Sequence, residues 1–231
     1  MVLRHPGTNL HLAIEFKRVN PALSVWAFGK APLLKRARNS EEFIVDRFVR
    51  MPHNRPAAVG MRMYPLGDAY HVAVVARGEA KGENSGHQSR NDIEDAATQA
   101  CAGVNGLLEH WAGGRGCSVE PSLSLYAAPV IVTTADLYVI NRPLVQADIA
   151  TGNLALDDHD VQSVDWLYYQ YPTSPGLRAA GINHVGGTPD LCHMLDALYL
   201  RTIPIVRSTA FARWLGEGLE WDSLNAQVAG Q

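Results

Sequence analysis

Long apolar runs are missing from this 231-residue sequence, and none approaches the ~20 residues a membrane-spanning helix needs. No apolar signal segment opens the chain, because Arg4, His5 and Glu15 arrive too early. With 47% hydrophobic and 19% charged residues, the composition is that of a soluble globular chain, expected in the cytoplasm with no membrane partner. Cysteine is also scarce. Cys101, Cys117 and Cys192 are odd in number and far apart, without a Cys-x-x-Cys pair, so a disulfide framework is excluded. They read as reduced packing thiols. Nine histidines include no His-x-x-x-His spacing, which argues against a zinc hydrolase. Neither a phosphate-binding Gly-x-x-x-x-Gly-Lys-Ser/Thr loop nor a Gly-x-Gly-x-x-Gly fingerprint is present. Cys192 and His193 are adjacent, a spacing that does not set a nucleophile against its base.

Acid is scarce in the first quarter. Residues 1–62 hold eleven Lys and Arg against four Asp and Glu, a net of +7. The rest hold nine against nineteen, a net of −10, which gives the total of −3. A basic opening suits a partner with a phosphate backbone. Dispersed over solvated faces, the same charges would carry no function.

What is present is organised around His11-Leu12-Ala13-Ile14-Glu15-Phe16-Lys17. Side chains alternate along a strand, so Leu10, Leu12, Ile14 and Phe16 share one face. His11, Ala13, Glu15 and Lys17 share the other. Four apolar residues predict a buried face. A carboxylate and an ammonium on the opposite face predict either a solvated pair at a sheet edge or a pair that binds something.

Further along, Asn20-Pro21 ends the strand, and Ala22–Arg38 reads as irregular or partly helical. Glu41–Met51 is readable as a helix capped by Asn39 or as a strand, and its Phe, Ile and Val content favours the strand. Ala57–Tyr64 and Tyr70–Arg77 predict strands around a Pro65–Asp68 turn, and Gly78–Asn91 a polar loop. Asp92–Trp111 is a helix with Asp92 as N-cap, an apolar stripe from Ile93 to Trp111 and a Gly113-Gly114 stop. Ala100, Gly103 and Gly106 would let it approach a sheet closely. Leu123–Thr133, Asp136–Ile140, Val164–Tyr171 and Arg201–Val206 are strands. Thr188 and Ser208 are expected to cap two further helices. No repeat or linker splits the chain, which reads as one domain over 1–231.

Glu-x-Lys at the end of an apolar strand resembles the signature half of the PD-(D/E)xK nucleases. Four longer stretches are read together: Ile14-Glu15-Phe16-Lys17-Arg18-Val19-Asn20-Pro21, Ile93-Glu94-Asp95-Ala96-Ala97-Thr98-Gln99, Pro129-Val130-Ile131-Val132-Thr133-Thr134-Ala135 and Tyr199-Leu200-Arg201-Thr202-Ile203. As a set they resemble a group of uncharacterised bacterial proteins with a restriction-endonuclease-like core. The resemblance implies an α/β (α+β) fold, a mixed β-sheet flanked by helices. It implies Glu15 and Lys17 as catalytic residues, and Mg²⁺ or Mn²⁺ held by Glu15 and the Phe16 carbonyl. Gln99 becomes an accessory residue, although it lies off the apolar stripe, and the residues by themselves favour a solvent-facing amide there. The charge asymmetry, separately, makes Arg18, Lys35, Arg36 and Arg38 the expected contacts to nucleic acid, DNA first.

One departure matters. The superfamily's upstream acid is missing, since Glu15 is the first acidic residue, and fourteen residues are too few for the usual preceding helix and strand. The expected core is therefore incomplete at its N-terminus. Three explanations stay open: a start upstream of Met1, an acid from elsewhere in the chain, or lost catalysis. Pro189-Asp190 has the right letters but falls at a helix start. With one carboxylate, a cation would be held mostly by water and weakly. The chain reads as a metal-dependent phosphodiester hydrolase with a degraded or truncated site, expected to be catalytically crippled as it begins at Met1, or as a non-catalytic nucleic-acid-binding or interaction module that keeps the fold.

Overall fold

The alternation at residues 10–17 does form a strand, and its neighbours set the architecture. In a computed structural model the described residues are 1–4, 10–21, 24–29, 42–51, 55–65, 69–70, 72–76, 89–112, 125–142, 160–172 and 200–218. In chain order the strands begin with β1 (Val2–Arg4), β2 (Leu10–Lys17), β3 (Val25–Gly29), β4 (Glu42–Met51), β5 (Arg55–Pro65), β6 (Ala69–Tyr70) and β7 (Val72–Ala76). The long helix α1 (Ser89–Ala112) follows. Then come β8 (Leu125–Thr133), β9 (Asp136–Ile140), β10 (Val161–Val164), β11 (Trp166–Pro172) and β12 (Leu200–Arg207).

Among the described residues the strands form two mixed sheets where one was expected. The larger runs β1-β2-β8-β12-β11-β6, with the β4–β5 pair joined to β8. Its centre is parallel: β2 pairs with β8, and β8 with β12. The smaller runs β10-β9-β3-β7, with β3 parallel to β9. The coarse class, mixed α/β with helical segments against a mixed sheet, agrees with the expectation.

Both faces of β2 are used. Leu10, Leu12 and Ile14 are buried with Val130 and Val132 of β8 beneath Trp214. On the opposite face Ile93, Ala96, Ala97 and Ala100 of α1 pack against Ile131, Ile203 and Ile205. Trp26, Phe28, Leu137 and Val139 of the smaller sheet join that second core. Cys101 is buried in that core.

Several boundaries differ from the sequence reading. Val25–Gly29 is a strand, not an irregular segment. Trp26, Ala27 and Phe28 are all buried, so the alternation that marks a half-buried strand is erased. Val164–Tyr171 is not one strand, because the chain bends at Asp165 and passes from the smaller sheet into the larger. Helix α1 starts at Ser89, which puts Asp92 inside its first turn and not at the cap. Ser208 does not cap a helix either. The first turn, Ser208–Ala210, is 3₁₀, preceded by an extended Arg207, and no side chain caps it. The segment continues as Phe211–Arg213 and a π-helical turn at Trp214–Gly218. Glu42–Met51 adopts the favoured strand. The helix expected from Thr188 lies outside the described residues. Among the described residues no helix is long and apolar enough to cross a membrane.

Candidate functional site

Parallel pairing fixes which way Glu15 and Lys17 point. Glu15 pairs with Ile131 and Lys17 with Thr133, and paired residues of neighbouring strands share a face. Ile131 belongs to the core under α1, so Glu15 and Lys17 face the helix. Ala13, one pleat earlier, is buried on that face and lies under Gly103. A Cβ on Gly103 would stand 3.3 Å from the Ala13 Cβ, tighter than an ordinary contact.

The other end of the helix-strand contact is ionic. Lys17 Nζ lies 3.1 Å from Asp92 Oδ1, with side chains 23% and 35% exposed. A pair so exposed to water contributes only ~0–1 kcal/mol to stability. Glu15 is half-buried on the same strand face. The three charged side chains therefore gather at the C-terminal end of a parallel strand, beside the first turn of a helix. In open α/β sheets that is where ligands bind, and a helix N-terminus favours anions.

Gln99 is exposed. Asp92, Ala96, Gln99 and Gly103 follow one another at helical spacings of four, three and four along one side of α1. Contacts with Lys17 and Ala13 fix that row over β2 at both ends. Gln99 thus stands on the helix row above the stretch carrying Glu15.

The edge continues across the sheet. Thr133 pairs with Arg207 of β12, so Lys17, Thr133 and Arg207 stand in register across three parallel strands. The Thr133 hydroxyl accepts the Ala135 N–H at 3.1 Å. Arg207 donates to Asp136 at 2.6 Å and lies 3.8 Å from Asp165. Asp165 also pairs with Arg213, whose guanidinium sits 5.1 Å from the Trp166 ring centre. These contacts tie the smaller sheet and the C-terminal segment to the edge.

Phe16 departs from the expected buried face, being 52% exposed. It leans edge-on against Phe211, with ring centres 6.4 Å apart. Its backbone is placed by the ladder. Ile14 exchanges hydrogen bonds with Met1 on the β1 side, while the Lys17 carbonyl accepts the Thr134 N–H on the β8 side. Alternation therefore turns the Phe16 carbonyl away from β8, towards the side of β1. A hard cation takes oxygen donors, and the Glu15 carboxylate and Phe16 carbonyl are of that kind. Among the described residues no three His, Cys, Asp or Glu side chains cluster to hold a metal.

Arg18 is exposed, one residue beyond Lys17. Lys35, Arg36 and Arg38 lie outside the described residues. The sequence reading brought Glu15 and Lys17 together, but it missed the Lys17–Asp92 pair, having assigned Asp92 to the cap. The available signal was a first-turn acid on the one long helix that follows a Lys-ended strand. Thr133 and Arg207 were missed too, because register across strands is not written in either strand alone.

Neither a family model, nor a curated protein, nor a solved structure matches this chain.

Proposed function

We propose that this chain is a nuclease-like protein with a restriction-endonuclease-like core, acting on phosphodiester bonds of nucleic acid, DNA first among them. The observation that carries this is the gathering of Glu15, Lys17 and the first turn of α1 at the C-terminal end of β2. The basic first quarter and exposed Arg18 support a polyanionic partner.

In this reading Glu15 and the Phe16 carbonyl hold Mg²⁺ or Mn²⁺. The bound cation supplies Lewis acidity and a water of lowered pKa. Lys17 offsets negative charge developing on the phosphate, an interaction that grows towards the transition state. The α1 N-terminus adds peptide N–H dipoles oriented to the same end. Gln99 stands where an amide can orient substrate from the helix.

A second reading has its own observation. Asp92 already neutralises Lys17, which suits a module that binds nucleic acid without cleaving it. Fluorescence anisotropy of a labelled DNA duplex separates the two. With a working site, Mn²⁺ raises affinity for the duplex in the wild-type chain and not in Glu15→Ala. Binding that ignores Mn²⁺ in both proteins favours the non-catalytic module. No binding at low salt contradicts both.

A further inference from the structure

We propose that Phe16 is a stacking platform for an unpaired nucleobase, with Arg18 beside it to meet a phosphate of the same strand. The inference rests on the reading of nucleic acid as the partner, and it names single-stranded nucleic acid as the form held at this end of β2.

It starts where the alternation of β2 fails. Phe16 continues the apolar row of Leu10, Leu12 and Ile14, yet those three are buried and Phe16 is 52% exposed. Its ring has a firm footing. It meets Phe211 at 75°, and Phe211 in turn stacks at 20° on Trp214, which is fully buried. An edge-to-face contact does not cover both faces of the outer ring.

Arg18 is turned to the same side. Val19 is buried in the core under α1 and donates its N–H to the Thr134 hydroxyl, while the Lys17 carbonyl accepts the Thr134 N–H. The chain thus stays extended past Lys17, and alternation directs Arg18 to the Phe16 side. Arg18 is exposed and has no acidic partner among the described residues. It belongs to the basic first quarter, which supplies the matching charge.

An aromatic ring in water beside a guanidinium suits a single strand, whose bases stack on ring faces while cations track its backbone. A duplex keeps its base faces inside its own stack and offers Arg18 only phosphates. A second copy of the chain fits less well, because a specific protein interface takes about 800 Å² from each partner. Among the described residues the exposed large apolar side chains are Met1, Val2 and Phe16, and Val2 turns to the other face with Ala13.

The test is fluorescence anisotropy of one labelled DNA sequence, as a single strand and as a duplex, with the full 231-residue chain at low salt and no divalent cation. The single strand should bind more tightly. Phe16→Ala should weaken single-strand binding about fivefold to a hundredfold and leave the duplex nearly unchanged. Phe16→Leu should be as weak as Phe16→Ala, and Phe16→Trp should recover the affinity. Wild-type protein should hold an abasic strand of equal length as weakly as Phe16→Ala holds the normal one, a comparison that needs no variant to fold. Arg18→Gln should weaken both forms and flatten their salt dependence. An abasic strand bound as tightly as the normal one, or full affinity in Phe16→Leu, would overturn the stacking role. Single-strand binding unmoved in Phe16→Ala would overturn it too, and a dimer seen in sedimentation that this variant disperses would make the face an interface between copies instead. Binding of the duplex but not the single strand would overturn this inference and leave the nucleic-acid reading standing. Binding of neither would remove both.

Discussion

Burial sets the chemistry of Tyr168. The residue is 6% exposed, and its hydroxyl donates to the Gly218 carbonyl at 2.6 Å. Burial pushes the phenol above its ordinary 10.0. The unfolded phenol then ionises before the folded one, so this group's contribution to stability is intact below pH 10 and is lost as pH rises beyond it. Urea unfolding of the wild-type chain should show stability falling above pH 10, and Tyr168→Phe should flatten that fall. At pH 7 the same substitution should cost about 1 kcal/mol through the lost hydrogen bond. An unchanged alkaline slope in Tyr168→Phe would assign the fall to other groups. At this scale the sequence was legible wherever local period decides. Alternation alone put Glu15 and Lys17 on one face. Asp92 was not legible as the partner of Lys17, because its position depends on how a distant helix is laid across β2.

Helix α1 tests the close approach of an element to the sheet. Ala100, Gly103 and Gly106 looked alike as small residues, but they do different things. Ala100 is buried in the core beneath the helix. Gly103 meets Ala13, whereas nothing lies within 4 Å of a Cβ built on Gly106. Gly106→Ala should therefore stabilise the protein by up to about 1 kcal/mol, the usual gain of alanine over glycine in a helix. Gly103→Leu should destabilise it by ~1–3 kcal/mol, since the side chain must lift the helix from β2. Thermal melts of the two variants should move in opposite directions, and a stabilised Gly103→Leu would mean that the helix does not sit against Ala13 as described. The long amphipathic helix and β2, β8, β9 and β12 were readable from period and composition, to within three residues at each end. Strand β3 was hidden because both its faces are buried. The final segment was misread because its tight first turn leaves Ser208 exposed and not capping.

Over the whole molecule, the two-sheet organisation was the least legible feature. The chain leaves β8 at Thr133 and re-enters a different sheet at Asp136, a switch of two residues with no loop signal of its own. Its anchor is the Arg207–Asp136 contact, between residues far apart in sequence. Charge asymmetry, by contrast, was legible from counting alone. If the basic first quarter meets a phosphate backbone, affinity for duplex DNA should fall steeply with salt. Charge reversal at Lys35, Arg36 and Arg38 should weaken binding alike for all sequences and flatten the salt dependence. An affinity unmoved by that triple substitution would exclude those residues from the interface. Cleavage is the sharper question. Glu15, Lys17 and a sparse oxygen set should give a slow hydrolase that depends on ample divalent metal. Plasmid DNA incubated with Mn²⁺ and the 231-residue chain should be nicked slowly, with nicking abolished by a chelator and by Glu15→Ala. Nicking that survives Glu15→Ala, or none at any Mn²⁺ concentration, would contradict a phosphodiester-cleaving site at the end of β2.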